Sequence, residues 1–148
     1  MPGTSFLRFW APGLVALGAM LSTCEDSPAD PRNVEQQLQG TWLREYAMHG
    51  MKARRILTLQ LDGSFRERVR VVDGAGAVTQ YDHEGTWLYD GTNLKRKYTL
   101  MNGEPPSRLN LPFATFQISF ESNDEFLGID HIRGHRVHYR RVAPETQP

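Results

Sequence analysis

Histidines and carboxylates are the side chains most often used to move protons or hold metals, and three of the five histidines of this chain fall in one run, His131-Ile132-Arg133-Gly134-His135-Arg136-Val137-His138. The run invites a zinc reading. Side chains alternate across a strand, however, so His135 and His138, an odd number apart, face opposite sides, and Arg133 and Arg136 add positive charge that disfavours a dication. Surface histidines on a terminal hairpin are therefore expected, and no metal. His83 lies between Asp82 and Glu84, a triplet able to shuttle protons, yet no nucleophile is identified with it. The sequence holds no Gly-x-Ser-x-Gly elbow, no phosphate-binding glycine loop and no His-Glu-x-x-His. The expectation is a protein without enzymatic activity and without a cofactor.

Charge narrows the partners. Seventeen basic residues balance seventeen acidic ones, whereas nucleic-acid binders carry a basic excess that neutralises phosphates, so no nucleic acid is expected. A single cysteine excludes an internal disulfide. Arg66, Arg68 and Arg70 share one face of a strand, and Lys95 with Lys97 repeats the spacing. They read either as a stripe facing anionic lipid or as a solvated outer face with acids across the strands. Glu67, on the opposite face of its strand, complicates a simple inside-outside assignment.

The elements that must position these groups follow a short period. Asp30-Pro31 places an N-cap before a proline at the first helical position, and Val34, Leu38 and Gly40 complete one or two helical turns. From Gly40 the apolar period becomes two. Leu57, Leu59 and Leu61 alternate with Thr58 and Gln60, Asp62-Gly63 turns the chain, and Phe65, Val69 and Val71 interleave with the arginines. Further strands are expected near 77–82, 84–89, 93–101, 116–120, 125–132 and 136–142, with Asn102-Gly103 as another turn and Pro105, Pro106 and Pro112 bounding a longer loop. Eight or nine short strands without intervening helices predict an all-β, antiparallel up-and-down barrel, preceded by a short helix; closure leaves no edge strand and suits a monomer.

Ahead of the barrel lies an apolar run, Phe9 to Leu21, behind Arg8, and it ends in Leu21-Ser22-Thr23-Cys24. This segment resembles the lipobox of bacterial lipoproteins, in which the chain is cut before the cysteine and the thiol receives a diacylglyceryl group. The resemblance implies a signal peptide over residues 1–23, lipidation of Cys24, a tether over 24–32, a barrel domain over 33–143 and a tail over 144–148. Two or three acyl chains hold a protein durably at a membrane, since each buried methylene contributes about 0.8 kcal/mol. Glu25 stands where Asp favours the inner membrane of Gram-negative cells, so the expected address is the outer membrane, facing the periplasm.

Two tryptophan motifs sharpen the barrel. Gly40-Thr41-Trp42-Leu43 looks like the Gly-x-Trp motif of the lipocalin family, and Gly85-Thr86-Trp87-Leu88 is similar to an interior strand of small bacterial lipocalin-like domains. The resemblance implies an indole closing one barrel end, with an arginine of the last strand, Arg140 or Arg141, packed over it. It also implies a small apolar ligand inside, with Leu57, Leu59, Phe116 and Phe120 as lining and Tyr98 or an arginine orienting a polar head. The chain departs from the family in its shorter domain and in lacking the Thr-Asp-Tyr motif and the disulfide. An eight-stranded barrel can equally be filled by its own side chains, so a structural or inhibitor-like interaction module is the competing expectation.

Overall fold

The computed structural model describes residues 30–109 and 112–148; the expected signal peptide, Cys24 and most of the tether lie outside them. A short helix, α1 (Pro31–Leu38), precedes eight strands: β1 (Gly40–Met48), β2 (Met51–Leu59), β3 (Ser64–Val72), β4 (Val78–Tyr89), β5 (Asn93–Met101), β6 (Phe113–Ser122), β7 (Glu125–Asp130) and β8 (His135–Val142). Consecutive strands pair antiparallel, and β8 returns to β1 to close the barrel. Asp30 caps α1 by accepting a hydrogen bond from the Arg32 amide, and Pro31 supplies a fixed φ where no donor is needed.

One difference from the sequence expectation concerns β4. The segments near 77–82 and 84–89 form one strand, Val78–Tyr89, with a bulge in its pairing to β5 at Glu84/Gly85. The polar run Asp82-His83-Glu84 does not break it, because neighbouring strands satisfy its backbone on both sides. Gly85 is required there: a Cβ would collide with the Lys97 carbonyl and fall 2.7 Å from the Phe65 ring. Leu61, read as part of the β2 stripe, sits instead in the β2–β3 turn and is 82% exposed.

The apolar core occupies the end of the barrel on which α1 rests. Leu38, Trp42, Leu57, Leu59, Phe65, Trp87, Leu94 and Phe126 pack together there. Trp42 is fully buried, donates Nε1–H to the Leu38 carbonyl at 2.7 Å and meets Phe126 edge-on at 4.8 Å. Arg141 lies over the same indole at 4.2 Å and donates to the Gln37 and Gln39 carbonyls at 2.6 and 2.8 Å. It thus ties β8 to the end of α1 by cation–π contact and by filling orphan helix acceptors. Of the two arginines considered, Arg141 holds this position; Arg140 points outward and reaches Glu45. Gly40, at φ 126°, leaves room for the Arg141 guanidinium, whose Nη1 sits 2.5 Å from where a Cβ would stand.

After β8 the chain turns back along the outside. Arg68 donates to the Gln147 side chain at 2.7 Å and to the Thr146 carbonyl at 2.9 Å, so residues 143–148 are strapped to the wall. Arg68 stands opposite Ile56, and Ile56 opposite Leu43. These two outward apolar residues are only 1% and 2% exposed.

Candidate functional site at the open end of the barrel

The opposite end is open. β1 and β8 stay paired only over Thr41–Leu43 and then separate, leaving a seam between Arg44–Met48 and His135–Tyr139. A cleft of about 520 Å³ enters there and reaches across the barrel to Arg55 on β2 and Phe116 on β6. Its rim carries Arg44, Tyr46, Met48, Arg133, His135 and Arg136, and Val137 forms part of its wall. Four arginines against one aspartate, Asp130, line it, and the Asp130 carboxylate already accepts from the Ile132 and Arg133 amides at 3.0 and 3.1 Å.

Beneath the cleft lies a buried charged layer. Strand parity puts Glu67 inside with Phe65 and Val69, Arg55 inside with Ala53 and Leu57, and Arg96 inside with Leu94. Glu67 and Arg96 are each 2% exposed. Arg96 donates to Glu67 Oε2 at 2.5 Å and Arg55 to the same oxygen at 3.3 Å, while the Tyr98 hydroxyl donates to Oε1 at 3.3 Å. Arg55 also reaches the Tyr46 hydroxyl at 3.5 Å. Burial alone would push the Glu67 carboxyl up, but Arg96 and Arg55 outweigh it and hold it down at about 2. Burial raises the Tyr98 phenol to about 12, so it is a neutral donor at ordinary pH.

Two guanidiniums share one carboxylate, and the sharing is unequal. Charge-assisted bonds settle near 2.7–2.9 Å, so Arg96 holds Glu67 tightly whereas both contacts of Arg55 are long. The Nε atoms of Arg55 and Arg96 and the Tyr139 hydroxyl are buried with no partner among the described residues. Arg44 stacks over the Tyr46 ring at 4.4 Å and makes no ion pair among the described residues. Of the unpartnered atoms, the Arg55 Nε belongs to a residue that lines the cleft, and buried polar groups are ordinarily matched.

The residues expected to line a ligand do not gather in one place. Leu57 and Leu59 are sealed in the core, and Phe120 packs on Trp42 at 6.2 Å. Only Phe116 lines the cleft. Tyr98 lies inside, in the charged layer, not at the mouth. The indole of Trp87 is buried and donates to the Gln60 carbonyl at 2.9 Å.

The histidines also disperse. His138 faces outward beside Glu121 and Glu125, His131 pairs with Gln117, and His135 edges the cleft. His83 points inward, edge-on to Tyr98 at 5.9 Å. Arg66 pairs with Asp82 and Lys95 with Asp90 on the outer wall, so the basic stripe is in part answered by cross-strand and turn acids.

A closed, eight-stranded antiparallel barrel with one short helix at its stoppered end is an up-and-down β-barrel, the architecture found in lipocalins and in streptavidin. No protein-family model and no curated protein matches the chain. Among solved structures it is similar to a lipocalin-like protein from Bacteroides uniformis, with 16% identity, a TM-score of 0.45, and coverage of 72% of this chain and 99% of that one.

Proposed function

We propose that this protein is a lipid-anchored binding module of the bacterial envelope, which takes one compact small molecule with an apolar part into the cleft at the open end of its barrel. The observation that carries this reading is the cleft itself: about 520 Å³, reaching Arg55 and Phe116, in a barrel whose other end is plugged by Trp42. Small-molecule sites commonly occupy roughly 300–1,000 Å³ and favour the mouths of barrels. Because Leu57, Leu59 and Phe120 already fill the stoppered half, the ligand rests on Phe116, Val137 and the Tyr46 ring and does not thread a long chain to the bottom. The activity proposed is equilibrium binding, not turnover.

The anchor in this reading is Cys24. The tether leads into α1, which packs on the stoppered end, so acylation of Cys24 holds the cleft toward the periplasm and away from lipid. Intact-mass measurement of protein isolated from its own membranes tests the anchor: a mature chain starting at Cys24 with acyl mass supports it, and an unmodified cysteine overturns it.

Native mass spectrometry of the same material, released into mild detergent, tests the binding. A reproducible small-molecule adduct is expected. Consistent absence of an adduct, together with no displacement of a short fluorescent fatty acid, would overturn the binding reading. That outcome would favour the second reading, a filled-barrel interaction module, to which the packed lower half and the exposed Leu88 and Phe113 on the outer wall give support.

A further inference from the structure

We propose that the molecule bound in the cleft is a small organic acid, whose single carboxylate is held by Arg55 at the floor and Arg44 at the rim while its apolar body lies against Phe116 and Val137. The inference rests on the binding reading above and adds the chemical class of the ligand.

Four observations point to an anion. First, four arginines face one carboxylate in the cleft, that of the inward-facing, 4% exposed Asp130. Glu67 is the one carboxylate among Arg55, Arg96 and Glu67, and the 2.5 Å bond to Arg96 claims it, leaving Arg55 with long contacts of 3.3 and 3.5 Å. Second, Arg55 is the member of the three that lines the cleft, so its charge faces a space that a ligand can enter. Third, its own Nε is buried without a partner among the described residues. Native proteins leave such groups unmatched rarely, and often where a ligand supplies the match. Fourth, Arg44 stands over the face of Tyr46 while Arg55 approaches the same ring at 5.9 Å, which brackets the ring with two cations.

The head group and body follow from the same geometry. The cleft lining is basic on balance, which favours an anion, and the planar guanidinium fork of Arg55 fits the two oxygens of a carboxylate. The cleft wall at Phe116 and Val137 offers apolar area, and the packed core of Leu57, Leu59 and Phe126 beyond it selects a short body over a long acyl chain. Asp130 lines the same cleft, but its Oδ1 accepts from the Ile132 and Arg133 amides, which holds it at the turn after β7. Arg55 is partly shielded, its side chain 22% exposed, and partial burial strengthens its attraction for an anion relative to a fully exposed cation.

The test uses calorimetric titration of the full chain in phospholipid nanodiscs, with protein-free nanodiscs as the blank. Sodium octanoate, 1-octanol, octylamine and octyl phosphate are compared at low salt. Octanoate is expected to bind about tenfold or more tighter than octanol, the factor of one charge-assisted contact, and octylamine not at all. R44Q, at the rim, is expected to lower octanoate affinity severalfold and leave octanol unchanged; R55Q is expected to abolish the difference between the two, with circular dichroism confirming that each variant retains its strands. If octanol binds as well as octanoate, or R44Q and a folded R55Q leave octanoate untouched, the carboxylate inference is overturned while the binding reading stands. Tighter binding of octyl phosphate than of octanoate also overturns it. If none of the four binds, both fail.

Discussion

At the residue scale the decisive contrast lies between two arginines that reach the same carboxylate oxygen. Arg96 is sequestered with Glu67, and Arg55 is left facing a cleft. Removing one partner of a buried ion pair leaves the other uncompensated, so Arg96→Leu is expected to destabilise the protein by about 3–5 kcal/mol, measured by urea unfolding. The Glu67 carboxyl is held below its ordinary value, so its contribution to stability is present above about pH 4.5 and is lost as pH falls toward about 2. Glu67→Gln is accordingly expected to flatten the acid limb of the stability curve in that window. An acid limb as steep as in the parent would show that Glu67 is not paired. Trp42→Ala is expected to cost about 3–5 kcal/mol, because the indole is fully buried and also satisfies the Leu38 carbonyl.

At the scale of elements, much of the barrel was legible in the sequence and its charged layer was not. The Asp62-Gly63 and Asn102-Gly103 turns, the period-two strands and the helix behind Asp30-Pro31 follow from local chemistry that tertiary contacts reinforce. β4 is one strand where two were expected, because polar residues at 82–84 read as a break until both neighbours are known to pair with them. The charged layer escaped because arginine and glutamate in a strand are ordinarily outward. A signal was present, since Glu67 falls in phase with Phe65 and Val69, Arg55 with Leu57, and Arg96 with Leu94; parity outranks residue type here. Parity turns Leu57, Leu59 and Phe120 inward, but periodicity cannot distinguish a cavity lining from a packed core. The strap after β8 left no periodic signature and exists through its contacts with Arg68. Deleting residues 144–148 is expected to lower stability by about 1–2 kcal/mol in urea, through the lost hydrogen bonds to Arg68. An unchanged midpoint would show that the strap adds nothing.

At the scale of the whole molecule, polarity runs along the barrel axis. One end is dry, aromatic and closed by Trp42, α1 and Arg141; the middle holds Glu67 with its arginines; the other end splays along the β1–β8 seam into a basic cleft. Stability and recognition are thereby separated, because the stoppered half supplies the apolar burial and leaves the open half free to carry unmet donors. Gly85→Ala belongs to the stability half. Its Cβ has no space between Lys97 and Phe65, so a loss of about 1–3 kcal/mol is expected from overpacking, with any ligand affinity of the surviving folded fraction retained.

The most direct test of this division is an amide NMR titration of the full chain with sodium octanoate. Chemical-shift changes are expected at Arg44–Met48, Arg55, Phe116 and Arg133–Val137, while Leu38, Trp42, Asn123 and Arg141 at the stoppered end stay still. Changes centred on the stoppered end or on the outer wall, or no changes at any residue, would contradict the account.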